Sequence, residues 1–203
     1  GIKVVSTYIF DLDGTLINIR IYSEMYLEIL KLIESKLGLF GEELDIKAAL
    51  FGLVKGDHSR YDSGDLCREL GLLAEYYEIL DRHIKVRKRV HDDAFLVLSE
   101  LKKKGLRVGV ASNSMHRTIQ SYLNKYDLLE FVDFIFSSED AGRRKNDPVF
   151  WERLIAAEDL VPTECLIIGD SKLEDIEVPG TFEFNGFYVG EGEEKLRDVL
   201  KNL

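Results

Sequence analysis

Cysteine is scarce: Cys67 and Cys165 are the only two in 203 residues, and they stand far apart. Two distant thiols make neither a disulfide framework nor a metal cage, and they suit a reducing cytoplasm. No apolar run approaches the roughly 20 residues that a membrane span needs. An excess of positive charge is lacking too. Lys and Arg number 27 against 37 Asp and Glu, a net charge of −10. Such a field does not attract nucleic-acid backbones or anionic membranes, so neither is expected as a partner. A local basic pocket for a small anion stays compatible with it. Gly1-Ile2-Lys3 leads directly into an apolar strand pattern, so no secretory leader is expected. There is no internal repeat and no low-complexity stretch. No Gly-x-Gly-x-x-Gly follows the first strand pattern, which disfavours a nucleotide-binding oxidoreductase.

What is present is a globular composition, 45% apolar and 32% charged, with enough apolar side chains for a core. At about 150 residues per domain, the length fits one domain with a sizeable insertion. Val4–Phe10 is β-branched and aromatic and predicts a buried strand ending at Asp11. From Tyr22 to about Val90 the pattern is helical throughout, with segments at 22–37, 43–54, 64–69 and 74–87. After Asp92, strands and helices alternate. Strands are expected at 108–111, 131–136, 165–168 and 186–189, and helices at 94–104, 118–126, 148–158 and 194–203. Alternation of this kind predicts an α/β fold, a parallel sheet with helices on both faces. The helical block is too long for a βα connection. It reads as an inserted all-helical domain over 18–92, with the α/β core formed by 1–17 and 93–203.

In such a sheet, ligands bind beyond the carboxyl ends of the strands. That edge collects Asp11 and Asp13 from the first strand and Ser112 and Asn113 from the second. It also collects Lys145 from the loop after the third, and Asp170 with Glu174 and Asp175 from the fourth. Several carboxylates at one point need a cation, and oxygen-only ligation fits Mg²⁺ better than zinc. A lysine and a hydroxyl beside it would hold a phosphoryl group. Asp11 could attack phosphorus and form an aspartyl phosphate. Asp13 could serve as acid and then as base.

Phe10-Asp11-Leu12-Asp13-Gly14-Thr15-Leu16 resembles the first motif of the haloacid dehalogenase superfamily. Ser112-Asn113 is similar to its second, Lys145 to its third, and Gly169-Asp170-Ser171-Lys172-Leu173-Glu174-Asp175 to its fourth, all in the family's order. The resemblance implies a Rossmann-like core with a cap domain inserted between the first and second motifs. It implies a hydrolase with Asp11 as nucleophile and Asp13 as acid/base. Ser112 and Lys145 would bind the phosphoryl group, with Asn113 assisting. Asp11, the main-chain carbonyl of Asp13, and Asp170 would hold Mg²⁺, supported by Asp175. The family's dehalogenases lack an acid at position 13, so Asp13 favours a phosphatase acting on a small phosphorylated metabolite. Val178-Pro179-Gly180 replaces the family's small-residue helix and predicts a short or irregular segment at Asp175.

The insert carries the polar loop Lys55-Gly56-Asp57-His58-Ser59-Arg60-Tyr61-Asp62-Ser63. Lys55, His58 and Arg60 are candidate substrate contacts. The loop is similar to the cap loop of beta-phosphoglucomutases, which makes a sugar phosphomutase the alternative. Ser23 stands where those mutases have a histidine, which places that reading second. A phosphoacceptor signalling domain comes third, since a helical cap is foreign to it. The basic run 85–89 reads as a solvated helix face or an attractor of anions. His83, His91 and His116 read as structural, and Phe150, Trp151 and Leu154 as core.

Overall fold

In the computed structural model, which describes residues 4–190 and 195–203, the strand β1 (Thr7–Phe10) is buried along its whole length. The expected start at Val4 is too early. Val4 is 83% exposed, and the ladder to both neighbouring strands begins at Thr7. The chain divides into two compact units, Gly1–Asn18 with Val90–Leu203, and Ile19–Arg89.

The second unit is helical: α1 (Arg20–Leu37), α2 (Gly41–Leu50), α3 (Ser63–Glu69) and α4 (Leu73–Val86). Ile21, Met25, Ile29 and Ile33 recur at helical spacing and form the buried stripe of α1. The helix stops at Gly38, which adopts a left-handed conformation and donates its N–H to the Glu34 carbonyl. α4 buries Tyr76, Tyr77, Leu80 and Ile84. Charge pairs tie α4 to α1: Glu28 meets Arg82 and, at 2.8 Å, His83. Glu24 meets Arg87 and Arg89. The basic run is therefore partly engaged by α1.

The first unit continues with α5 (Ala94–Lys103), β2 (Arg107–Ser112), α6 (His116–Lys125), β3 (Phe134–Ser137), α7 (Ser138–Ala141) and α8 (Pro148–Glu158). Then come β4 (Cys165–Gly169), a π-helical turn at Lys172–Glu177, α9 (Val178–Gly180) and β5 (Asn185–Tyr188). The expected strand start at Phe131 is corrected: Leu129–Phe131 is a turn of 3-10 helix. The expected closing helix begins at Glu194, outside the described residues, and Leu196–Asn202 is 3-10 rather than α-helical. The expectation of no leader rests on Gly1–Lys3, also outside them.

All five strands are parallel, in the order β3-β2-β1-β4-β5. β1 is central: from it the chain runs outward through β2 to β3, then crosses back to β4 and β5 on the other side. That arrangement opens a crevice at the carboxyl ends of the strands. One sheet face buries Ile9, Ala111, Phe134, Phe136, Cys165 and Ile167 against Phe150, Trp151 and Leu154 of α8. Each of the Ile, Leu and Phe side chains contributes about 1.5–3 kcal/mol when fully buried. α8 starts where Asp147 accepts the Val149 N–H at 2.9 Å and Pro148 occupies the first turn. No described helix is long and apolar enough to cross a membrane.

Candidate active site

Strand register brings the motif residues level. Phe10 pairs with Val110 on one side and Ile168 on the other. The Asp11 N–H extends the ladder by one bond to the Ile168 carbonyl, at 2.8 Å. Asp11 thus stands at the end of β1, and Asp170 follows the last residue of β4. Beyond Asp11 the chain folds back at once. The Leu12 carbonyl accepts from the N–H groups of Thr15, Leu16 and Ile17, and Gly14 donates to the Ile17 carbonyl at 2.7 Å. Leu12 and Leu16 are fully buried, which anchors this turn to the core. Gly14 has φ +82°, and a Cβ there would lie 2.0 Å from the Asp170 Oδ2. Only glycine lets the Asp170 carboxylate lie against the turn. Gly169 meets the same demand from Asp175, whose Oδ2 would lie 2.1 Å from a Cβ.

Lys145 is 2% exposed, and its ammonium lies 2.9 Å from Asp11 Oδ1 and 2.5 Å from Asp175 Oδ1. Of the three consecutive cations 143–145, it is therefore Lys145 that enters the site. Asp11, Asp170 and Asp175 each offer a carboxylate oxygen within 4.8 Å of the others. Among the described residues, that group does not include the Asp13 carboxylate. Burial raises the Asp11 carboxyl to about 7; Lys145 pulls it down, and Asp170 and Asp13 push it up. Burial likewise raises Asp175 to about 6, against the pull of Lys145. Burial also raises Asp170. For Lys145, burial works downward, but Asp11 and Asp175 carry the ammonium above its ordinary value. One ammonium against three converging carboxylates leaves excess negative charge. Three hard oxygen donors this close fit a divalent cation of the magnesium type.

The loops are cross-braced by residues whose part was not legible in the sequence. Asn113 donates through Nδ2 to Glu174 Oε2 at 2.7 Å and accepts the Lys145 N–H on Oδ1 at 2.8 Å. Its carbonyl accepts the Ser138 hydroxyl at 2.6 Å. Each end of the Asn113 amide thus braces a loop. The Trp151 indole N–H donates to the Lys145 carbonyl at 2.9 Å. Ser112 Oγ accepts the Ser114 N–H at 3.0 Å, and Ser114 Oγ donates to Asp13 Oδ2 at 2.9 Å. The π-helical turn sends two consecutive acids to different partners, Glu174 to Asn113 and Asp175 to Lys145. Turns of this kind recur at functional sites. The irregular segment expected at Asp175 takes this form.

Lys55, His58 and Arg60 belong to the other unit and share one loop there. Gly56 donates its N–H to the Arg60 carbonyl at 2.9 Å, and His58 and Ser59 turn the chain with φ of 62° and 56°. Lys55 is held 3.5 Å from Asp45 and lies over the Tyr61 ring. Tyr61 in turn donates its hydroxyl to Asp45 at 2.6 Å. His58 is exposed and Arg60 half-buried. The histidines serve local pairings: His83 with Glu28, His116 with Asp140, and His91 Nδ1 accepting the Asp93 N–H.

The haloacid dehalogenase-like hydrolase family matches residues 5–178. The chain belongs to that family and is a hydrolase of the HAD type. Pyrophosphatase PpaX of Bacillus cereus (strain Q1) is 24% identical over 167 residues, 82% of this chain and 75% of that protein. Among solved structures, the HAD phosphatase from Thermococcus onnurineus superposes with a TM-score of 0.75 at 19% identity, covering 98% of this chain and 97% of that one. A HAD-superfamily hydrolase of subfamily IA, variant 1, from Geobacter sulfurreducens PCA gives 0.70 at 16% identity, covering 98% and 100%. The HAD-hydrolase YfnB from Bacillus subtilis, solved bound to magnesium, gives 0.65 at 19% identity, covering 99% of each. These likenesses establish the α/β fold expected from the alternating strands and helices.

Proposed function

We propose that the chain is a Mg²⁺-dependent phosphatase that hydrolyses a small phosphorylated metabolite through an aspartyl phosphate on Asp11. The observation that carries this reading is the buried Asp11 carboxylate, 2.9 Å from the Lys145 ammonium and grouped with Asp170 and Asp175. The names of its relatives, a pyrophosphatase and a phosphatase, agree with it. Asp11, Asp170 and the main-chain carbonyl of Asp13, supported by Asp175, would hold Mg²⁺. When bound, it neutralises the excess charge and screens the phosphoryl oxygens.

The residues then divide the work. Lys145 and the Ser112 hydroxyl bind phosphoryl oxygens, and Asn113 keeps the Lys145 loop in place. A carboxylate oxygen of Asp11 bonds to phosphorus while the bond from phosphorus to the leaving oxygen breaks. Its electron pair stays with that oxygen, which takes a proton from Asp13. Asp13, now a carboxylate, takes a proton from water as the water oxygen bonds to phosphorus. The Asp11–phosphorus bond breaks, and orthophosphate leaves. Lys55, His58 and Arg60 are the insert residues that would touch substrate, with Lys55 exchanging its surface pairing to Asp45 for the substrate. The mutase alternative gains nothing from position 23, where the Ser23 hydroxyl bonds back to the Arg20 carbonyl at 2.8 Å.

The test is phosphate release from a panel holding pyrophosphate, sugar phosphates, phosphoglycolate and nucleoside monophosphates, with Mg²⁺ and with EDTA. Release that requires Mg²⁺ and vanishes in Asp11→Asn is expected. Turnover that persists in EDTA, or Asp11→Asn activity within tenfold of the parent, would overturn the reading. Isomerisation of a sugar phosphate without net release would favour the mutase.

A further inference from the structure

We propose that Ser114 is a positioning residue that aims Asp13 at the leaving group; the inference rests on the phosphatase reading above. Two bonds from this one residue carry it. Its hydroxyl donates to Asp13 Oδ2 at 2.9 Å, and its backbone N–H donates to Ser112 Oγ at 3.0 Å. Asp13 and Ser114 come from different strand ends, 101 residues apart in sequence. The backbone at Asp13 is already fixed by the turn bonds on the Leu12 carbonyl and by Gly14 N–H to Ile17. The Ser114 hydroxyl acts beyond the backbone, on the Asp13 carboxyl itself. A donor seated on Oδ2 restrains rotation of that carboxyl and gives the other oxygen a set direction.

The second bond acts on the phosphoryl side. Ser112 is buried at the end of β2, where it pairs with Ser137 of β3. Because its Oγ accepts from the Ser114 N–H, its own hydroxyl proton is turned elsewhere, available to a phosphoryl oxygen. One residue therefore sets the directions of both the group that holds the phosphoryl oxygens and the group that protonates the leaving oxygen. Orientation of this kind lowers a barrier only when the oriented group acts in the step. When the bond to the leaving oxygen breaks, the electron pair goes to that oxygen and the proton of Asp13 follows. A leaving oxygen stable as an anion needs that proton little, whereas an alkoxide needs it fully. The Ser114 effect must therefore grow with the basicity of the leaving group.

The experiment compares para-nitrophenyl phosphate with para-nitrobenzyl phosphate, which differ by one methylene and leave as a phenolate and an alkoxide. Ser114→Ala should cut kcat/KM for the benzyl ester at least about tenfold more than for the phenyl ester. That is part of the ~10²–10⁴-fold that general acid catalysis supplies. Asp13→Asn should show the same skew more strongly, and Ser114→Thr, which keeps the hydroxyl, should restore the parent ratio. Ser114→Cys, similar in volume and a weak donor, carries the test if the alanine variant does not fold. An equal fall on both esters would overturn the proposal. So would a rise in KM with kcat kept, which would mark a direct substrate contact. Parent protein that releases phosphate from neither ester with Mg²⁺ would count against the phosphatase reading itself, whatever Ser114 does.

Discussion

Trp151 donates its indole N–H to the backbone carbonyl of Lys145 at 2.9 Å. The ring is fully buried, edge-on to Phe150 at 5.1 Å and to Phe184 at 5.7 Å. The loop that carries the site's ammonium is thereby fastened to the aromatic core beneath the sheet. Trp151→Phe keeps an aromatic ring in the core but removes the donor and part of the ring volume, leaving a carbonyl unpaired and a small cavity. We expect a loss of about 1–3 kcal/mol in urea unfolding followed by circular dichroism. KM should rise several-fold as Lys145 loosens. Stability equal to the parent's would show that the bond holds nothing.

Lys145 itself offers a charge test. It is the cation between Asp11 and Asp175, at 2.9 and 2.5 Å. Lys145→Met preserves the length of the side chain but leaves two buried carboxylates facing each other. Turnover should fall by about 10²-fold or more, the scale for removing one donor to a developing negative charge. Lys145→Arg should not rescue it, because a guanidinium fork cannot replace a compact ammonium in so closed a place. Steady-state kinetics decide the matter: activity of Lys145→Met within tenfold of the parent would refute the assignment.

The sequence exposed the skeleton of this site but not its bracing. Asp11, Ser112 and Asp170 stand at the ends of apolar runs, and a parallel sheet brings such ends to one edge whatever the loops do. Position brought Lys145 to the same edge, but only a motif separated it from Arg143 and Arg144, which carry the same charge. The bonds Asn113–Glu174 and Ser114–Asp13 join residues 61 and 101 positions apart. They depend on loop paths and rotamers that no local pattern encodes. Trp151 read correctly as core, yet its N–H has a second task that burial alone does not announce. The π-turn was legible only as irregularity, since no composition marks an i→i+5 bond. In the insert, Lys55 reads from the sequence as a candidate substrate contact, and nothing in the loop's composition announces that it lies 3.5 Å from Asp45 and over the Tyr61 ring.

Asp133 provides a pH test away from the chemistry. Its N–H donates to the Val108 carbonyl at 2.7 Å, and its Oδ2 accepts the Val108 N–H at 2.8 Å. Both oxygens also meet Lys102 at 2.8 Å. Burial works to raise this carboxyl, but Lys102 and the Val108 N–H hold it below the ordinary value. A lowered folded-state value means that the stabilisation is present above the unfolded carboxylate pKa of about 3.9. It is lost as pH falls through the lower folded value. The Asp133 side chain is 35% exposed, so solvent screening keeps the worth of the pair near about 1 kcal/mol. Asp133→Asn should therefore be less stable than the parent at pH 7, and the gap should close toward pH 3. Thermal melts of both proteins across that range read it, and a gap that stays constant or widens on acidification would contradict the pairing.

Gly14 separates strain from function. Alanine there meets a positive φ of +82° and also a carboxylate oxygen 2.0 Å from its Cβ. Gly38, at the end of α1, has φ +67° and nothing within 4 Å of a Cβ. Gly38→Ala should carry the backbone cost alone, about 1 kcal/mol, with turnover unchanged. Gly14→Ala should carry that cost and also displace Asp170 from Asp11 and Asp175. Because the displaced group is one of three converging carboxylates, the loss should fall on cation affinity before it falls on the fold. Mg²⁺ titrations followed by calorimetry should show affinity reduced at least tenfold in Gly14→Ala and unchanged in Gly38→Ala. Equal Mg²⁺ affinity in the two variants would mean that Asp170 does not need its place against the turn.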